Sequence, residues 1–510
     1  MPLNRFITET NAPRKFVSVV KNINRIISKE TYMDRKSASA RAVVNSIILI
    51  SCFVLVASAQ NGLPPNTERL CDSVIVAGLA KSGVPSLSVA IVRNSHIVYA
   101  KAFGDARLDP KIAATPTMRY SIGSISKQFT ATAILLLQEE GKLSLDDHVG
   151  KYFPDLTRAN EVTIRQLLSH TSGYQDYWPE DYVMTPMLQP VTASQIMGTW
   201  GHKPLDFGPG TKWQYSNTNF VIAGAIVEKV AGKPLLSFLK EKVFTPLEMK
   251  SVTDTDHEKL PDTDPGGYLR YALGPLRPAP KEGRGWMFAA GELAMTARDL
   301  GQWDISVINR TIMKPASYDQ LETEVLLKNG VSSHYGLGIG IGMQSGRRTL
   351  AHDGEVSGFT ADNLVFPDDG VAVVALTNQD AASAGGVIVR SVVPFLFTLE
   401  DSAVTQKTDQ ARKIFEGLQR GTIDRSLFTQ NANDYFSDAA LKDFASSLAP
   451  FGIPKEFTQV SQGLRGGMTL RRYRIKFENK NAPYANRTLI AWTYEMPGGM
   501  LEQYQIAEQN

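Results

Sequence analysis

The sequence predicts a mixed α/β fold of the α+β type. One antiparallel sheet is assembled from two distant stretches of chain, a helical subdomain is inserted between them, and a smaller α+β unit follows. Three observations predict it. Strand-like runs cluster at 86–104 and again at 335–378. The stretch between them is dominated by helical periodicity and loops. The chain then turns polar at 399-LEDSAVTQKTD-409 before a second mixed segment.

Residues 66–83 read as an amphipathic helix. In 86-SLSVAIVRNSHIVYAKAFG-104 two β-rich runs flank Asn94-Ser95, a hairpin signal. An apolar-periodic helix runs from Ser124 to about Glu140 and stops at Gly141. Helix and loop follow to about residue 330, including 217-NTNFVIAGAIVEKVAG-232, closed by Gly232. Strand signals return at 335–343, 346–352, 361–366 and 371–378, the last pair around Pro367-Asp368-Asp369-Gly370. The alternating glycines of 336-GLGIGIG-342 lack the spacing of G-x-G-x-x-G, and no helix follows. They read as a strand with one bare face, closely packed. Residues 399–408 read as a linker, 410–421 as a helix, and 468–479 and 487–496 as half-exposed strands. The expected organisation is a leader at 1–59, a main domain at 60–400 and an accessory α+β domain at 401–510. A cleft between sheet and helical subdomain is the expected site.

The chain of 510 residues is 43% hydrophobic and 21% charged, a globular balance. Its net charge is +3, but residues 1–41 hold nine Lys/Arg against three Asp/Glu, which leaves the remainder at −3. A nucleic-acid partner is therefore not expected. The apolar run 42-AVVNSIILISCFVLVASA-59 ends in Ala57-Ser58-Ala59. A basic region, an apolar region and small residues predict a secretory signal cleaved near Ala59, with export to the periplasm or medium. The alternative is an uncleaved anchor, since such a run just spans a bilayer. The long basic region is also consistent with a start at Met33.

Two cysteines exist, Cys52 in the leader and Cys71 after it, so a cleaved chain makes no internal disulfide. No Cys/His cluster has metal-ligand spacing, and no metal or cofactor is expected. The acidic run 253-TDTDHEKLPDTD-264 lacks the Gly and Glu placement of an EF-hand and reads as a solvated loop.

Three short motifs carry the chemistry. In Ser124-Ile125-Ser126-Lys127 the first and last residues share a helix face, and a hydroxyl beside an amine at a helix N-terminus suggests an activated nucleophile, the alternative being a plain capping serine. Tyr215-Ser216-Asn217 opens a helix, and His352-Asp353-Gly354 follows a strand. In this order, with 163-TIRQLLSHTSGY-174, 244-FTPLEMKSVTDT-255 and 290-AGELAMTARDLGQW-303, the chain resembles the penicillin-recognising serine hydrolases. These are the class C β-lactamases, DD-peptidases, D-aminopeptidases and related esterases. The resemblance covers roughly residues 65–398.

The resemblance implies a β-lactamase/transpeptidase-like sheet with an inserted all-helical subdomain, and an acyl-enzyme formed without a cofactor. It implies Ser124 as nucleophile and Lys127 and Tyr215 as the proton-transfer groups, either of which serves as base. Asn217, His352 and Gly354 are implied substrate contacts, and the backbone N–H groups of Ser124 and Glu355 an oxyanion hole. Class C β-lactamases typically carry K-T-G where this chain has H-D-G. A titratable histidine there weakens the case for β-lactam hydrolysis and favours esters or D-amino-acid-containing peptides. Asp353 is expected to raise the pKa of His352. Glu355 adds a rim carboxylate suited to an amine-bearing substrate. His170 is expected to order the loop beneath the site, and Trp286 to shape substrate choice from the loop 273–286. The expected partner is a small-molecule or peptide substrate, with membrane contact only through the leader. A β-lactamase or penicillin-binding sensor that acylates without efficient turnover, and a catalytically silent scaffold, are the alternatives.

Overall fold

The computed structural model describes residues 62–397, 402–477 and 487–508. The basic leader, Cys52 and the cleavage pattern at Ala57–Ala59 lie outside the described residues. No helix among the described residues is long and apolar enough to cross a membrane.

Helix α1 (Pro65–Ser82) begins with a proline at its first position and ends at Gly83 in the left-handed conformation, φ 68°. Strands β1 (Ser86–Arg93) and β2 (His96–Leu108) form the expected hairpin, with Asn94 and Ser95 both at positive φ. β3 (Lys111–Ala113) follows. A short 3-10 turn, Gly123–Ile125, leads into α2 (Ser126–Glu139). α3 (Asn217–Ala231) and α4 (Ala297–Asn309) are the longer helices of the central region. The sheet resumes with β4 (Gly340–Gln344), β5 (Arg347–Val356), β6 (Phe359–Phe366) and β7 (Val371–Thr377), and α5 (Ala384–Phe397) closes the segment.

The seven strands lie in the order β3-β2-β1-β7-β6-β5-β4, with the first and last stretches joined where β1 pairs antiparallel with β7, Val89 opposite Ala375. Both faces of the central strands are buried, so their sequences read as nearly continuous apolar runs. Leu87, Val89, Ile91, Val373 and Ala375 pack with Cys71, Ile75, Ile388 and Val392 of α1 and α5. Ala90, Val92, Val374 and Leu376 face the other way, into a core shared with α2, α3 and α4.

After residue 400, α6 (Ser402–Leu418) and α7 (Asp438–Leu448) accompany a four-stranded antiparallel sheet. Its strands are β8 (Pro454–Arg465), β9 (Met468–Phe477), β10 (Thr488–Glu495) and β11 (Leu501–Glu508), in that order. Phe415, Phe428, Phe436, Tyr473 and Tyr504 are buried in a hydrophobic cluster of its own.

Three expectations need correction. The polar stretch read as a linker is helical from Ser402. Its apolar stripe, Ala411, Ile414, Phe415 and Leu418, starts only in the second half, so the first half looks like linker composition. The glycine alternation is a strand only from Gly340. Before it the backbone turns at Gly338, φ 73°, where an added Cβ would meet the Lys127 carbonyl oxygen at 2.8 Å. The acidic run is a solvated loop only in its middle, where 257–259 and 261–263 are exposed or nearly so. Asp254, Asp256 and Asp264 are buried, and Asp264 accepts from Arg119 Nε at 2.8 Å.

One close approach seats the first motif against the third. A Cβ on Gly354 would lie 1.9 Å from the Ile122 carbonyl oxygen and 3.1 Å from the Ser124 nitrogen. β5 therefore runs backbone to backbone against the turn that carries Ser124. Gly354→Ala is expected to lower stability by more than about 2 kcal/mol. Gly463→Ala, where nothing lies within 4 Å of the added carbon, should stay within about 0.5 kcal/mol in the same denaturant titration.

Candidate active site

Short pairings hold the turn before α2. Tyr120 and Ser121 pair with Met295 and Ala294, and Ile122 N–H donates to Leu293 O at 2.9 Å. Leu293 N–H in turn donates to Ser126 Oγ at 3.2 Å. Ser124 thus stands on a fixed 3-10 turn at the mouth of α2, and Lys127 follows one turn on.

Lys127 is fully buried. Its Nζ lies 2.9 Å from Ser124 Oγ and donates to Ala290 O at 2.7 Å. The amine also sits 5.0 Å from the ring centre of Tyr215. Burial pushes its pKa down to about 7, against the opposing pull of Asp176, Glu292 and Asp353. Tyr215 O–H donates to Ser124 Oγ at 2.7 Å. Burial pushes that phenol the other way, well up from its ordinary value. The dry site therefore separates two groups that the sequence leaves equivalent. The amine is the one poised to take a proton near neutrality, and the phenol stays protonated.

His170 builds the loop under Tyr215. It is buried at φ 56°, its carbonyl accepts from Gln214 N–H at 3.0 Å, and its Nδ1 accepts from Ser216 N–H at 3.1 Å. Its ring stacks on Tyr215 with centroids 4.3 Å apart. One residue thus grips both neighbours of Tyr215. Burial and the nearby Lys127 hold His170 well below its ordinary pKa, so it is neutral.

Asn217 begins α3 on the pocket wall. Its backbone N–H donates to Asp176 Oδ1 at 2.9 Å, and its side-chain amide reaches Asp176 Oδ2 at 3.3 Å and Trp178 O at 3.4 Å. His352 reaches the same pocket from β5. Its Nε2 accepts from Tyr335 O–H at 2.7 Å, and its Nδ1–H donates to Asp353 O. Asp353 does raise the affinity of His352 for a proton, as expected. Burial and Lys127 outweigh it and hold the imidazole below its ordinary pKa. The expected upward shift is therefore reversed, and His352 stands as a neutral group.

Ser124, Lys127, Tyr215, Asn217 and His352 thus converge. Glu355 brings its backbone to the same place, since a Cβ on Gly123 would lie 2.6 Å from Glu355 N. Gly354 packs on the turn that carries Ser124 and does not line the pocket around Ser124. Trp286 does not line it either. It is buried, donates to Gln189 O at 2.7 Å and stacks near Tyr177, while its neighbour Met287 reaches the wall. Asp176 and Tyr335 are additions that sequence reasoning missed. A signal for Tyr335 was its place just before the glycine alternation; Asp176 carried none beyond following 167-LLSHTSGY-174. Among the described residues, no group of three or more His, Cys, Asp or Glu is arranged to hold a metal ion.

The beta-lactamase family model matches residues 71–388. Protein flp of Staphylococcus aureus strain MW2 is 28% identical over 339 residues, covering 62% of this chain and 64% of that protein. The chain thus spans about 64% of the length of that curated relative. A D-stereospecific amidohydrolase from a Streptomyces species superposes with a TM-score of 0.55 at 26% identity, over 64% of this chain and 97% of that one. The octameric penicillin-binding protein homologue from Pyrococcus abyssi shares the fold over 86% of this chain and 98% of its own, with a TM-score of 0.57 at 22% identity.

The buried lysine sets a stability cost that mutation can read. Its amine titrates near 7 in the folded chain and near 10.5 in a solvated lysine. The unfolded state holds the extra proton across that window, so this group makes stability rise with pH from about 7 to about 10.5. Lys127→Met is expected to flatten that rise. At pH 7 it should raise the melting temperature by about 1 °C for each roughly 1 kcal/mol relieved in a chain this long, while abolishing reaction at Ser124. Thermal melts at pH 7 and 9 check both signs.

Proposed function

The chain belongs to the beta-lactamase family, and from that premise we propose that it is a serine hydrolase that forms an acyl-enzyme on Ser124. Its substrates are esters or peptides and amides containing D-amino acids. The observation that carries the reading is the pair of contacts on one oxygen: Lys127 Nζ and Tyr215 O–H both lie within hydrogen-bond distance of Ser124 Oγ. The likeness to a protein described as a D-stereospecific amidohydrolase supports the substrate class.

The geometry supports the following steps. Neutral Lys127, steadied by Ala290 O, accepts the Ser124 proton as Oγ bonds to the substrate carbonyl carbon. The carbonyl oxygen takes up the electron pair between the backbone N–H groups of Ser124 and Glu355. As the tetrahedral centre collapses, the bond to the leaving group breaks and Tyr215 gives that group its proton. Lys127 returns a proton to Tyr215. Water then attacks the acyl-enzyme by the same groups in reverse and frees Ser124. A neutral His352, its two ring nitrogens already taken by Tyr335 and the Asp353 carbonyl, supplies an uncharged wall rather than a fixed charge, which supports an uncharged ester or amide over a carboxylate-bearing β-lactam. The basic leader and its apolar run support export, with the accessory unit travelling alongside.

A fluorophosphonate probe on purified residues 60–510 tests the acyl-enzyme. One adduct by intact mass, absent in Ser124→Ala, is expected. No adduct on the folded wild type would sink the reading. The adduct rate should climb as pH rises through about 7, because only the unprotonated Lys127 accepts the serine proton. Lys127→Arg, which stays protonated at all accessible pH, should lose the rate by more than about a hundredfold.

A further inference from the structure

We propose that the outer face of the accessory sheet binds an acidic polysaccharide, a linear sugar chain bearing carboxylates, along the row Arg472, Arg474 and Lys476 beside Trp492. The inference goes beyond the hydrolase reading and does not depend on it.

Successive side chains of a strand point to opposite faces. In β9 and β10, Tyr473, Ile475, Leu489 and Ala491 belong to the cluster that α6 and α7 cover. Their neighbours in sequence therefore stand on the other face. There the register sets Arg472 opposite Trp492, Arg474 opposite Ile490 and Lys476 opposite Thr488. On β11, Gln505 lies opposite Trp492 and Gln503 opposite Tyr494. Arg472 and Lys476 are exposed, while Arg474, Trp492, Gln503 and Gln505 are half-buried.

The charge on this face has essentially one sign. The β9 cations recur at every second residue, about 7 Å apart. Lys476 is met by Glu456 of β8 at 3.0 Å, and Glu456 is the one acid that the register sets there among the described residues. Arg471 points the other way and is matched by Glu495. Among the described residues, Arg472 and Arg474 form no ion pair. Two unmatched guanidinium forks in a row fit a chain that carries a carboxylate on each repeat. Trp492, between Arg472 and Gln505, has an apolar body and a polar tip, which suits a sugar ring with its apolar face and hydroxyl edge. The amides of Gln503 and Gln505 both donate and accept, as hydroxyl partners require.

Other occupants fit this face less well. Single-stranded nucleic acid stacks successive bases on successive aromatic rings. Here Tyr494 is buried, and Arg465 donates to its hydroxyl oxygen at 2.8 Å and lies 5.7 Å from its ring centre, which leaves one platform. A second copy of the chain would turn this face on itself across a two-fold axis and set arginine against arginine. An anionic bilayer is held by apolar side chains that enter it, and Leu470 and Ile490 on this face are half-buried.

The test measures binding of purified residues 60–510 to polygalacturonate, with neutral dextran, poly-L-glutamate, oligothymidylate and anionic phospholipid vesicles beside it. Polygalacturonate should bind about tenfold or more tightly than any of the others, with an affinity that falls as salt is added. Arg472→Gln/Arg474→Gln should weaken it by about tenfold, while adduct formation at Ser124 keeps its wild-type rate. Trp492→Ala should erase the preference for polygalacturonate over poly-L-glutamate, a ratio taken within one variant and so independent of its stability. No binding of polygalacturonate, or equal or tighter binding of any other probe, would overturn the proposal. So would unchanged affinity in the double variant, a matching loss of adduct formation there, or a preference that survives Trp492→Ala.

Discussion

An amine enclosed in a dry wall beside a serine hydroxyl is the constraint on which the rest of this structure depends. A lysine in water carries its charge to far above neutral pH and is no base. Only enclosure brings Lys127 near 7, and enclosure demands a scaffold that closes on it from several sides. α2 is buried almost all round, which is unusual for a helix that carries reactive groups. The backbone at Gly338 covers the Lys127 carbonyl so closely that a side chain would not fit. Successive carbonyls of Ala289 and Ala290 accept from Thr130 Oγ1 and Lys127 Nζ, so the turn at 289–290 is tied to α2 at two points. That turn is backed by α3, where Gly224 makes room for Ala289. The helix that begins just after Tyr215 thus also supports the carbonyl that steadies Lys127.

The same dryness sorts the proton-transfer groups. Removal from water disfavours whichever form is charged, so it lowers an amine and raises a phenol. Lys127 and Tyr215 touch one oxygen and feel one environment, yet they move in opposite directions. No separate tuning residue is required to make one a base and the other an acid. What does need a dedicated residue is the position of Tyr215, and His170 supplies it through its carbonyl, its ring nitrogen and its ring face. A neutral imidazole serves there because a second cation would oppose Lys127.

Much of this was legible in the sequence, and the limits are physical. The strands and long helices carry period-two and period-3.6 patterns over many residues, so β1, β2, β6, β7, α2 and α3 could be read directly. The candidate site residues announce themselves through fixed spacing within short motifs, and the structure brings Ser124, Lys127, Tyr215, Asn217 and His352 together. Where reading failed, the deciding contact was distant in sequence. Asp264 is buried because Arg119 meets it, and no local pattern in an acidic run reports that. The first half of α6 is polar because only its second half faces a core. Trp286 looked like a cleft wall, but Tyr177 and Gln189 claim it. The direction of the His352 shift could not be read either, because a neighbouring acid is visible in sequence and burial is not.

β5 shows how one strand serves two opposed demands. Successive residues of a strand point to opposite faces. His352 and Gly354 are buried, the first against Tyr335 and the second against the nucleophile turn. Asp353 and Glu355, between and after them, are exposed. The inward face is neutral and close-fitting in this chain, since burial and Lys127 hold His352 uncharged. The outward face carries the two acids, Asp353 and Glu355. On this strand charge is thereby kept off the buried face. Placing the charge on the reacting face instead, as a lysine at position 352 would, exchanges that arrangement for one that favours anions.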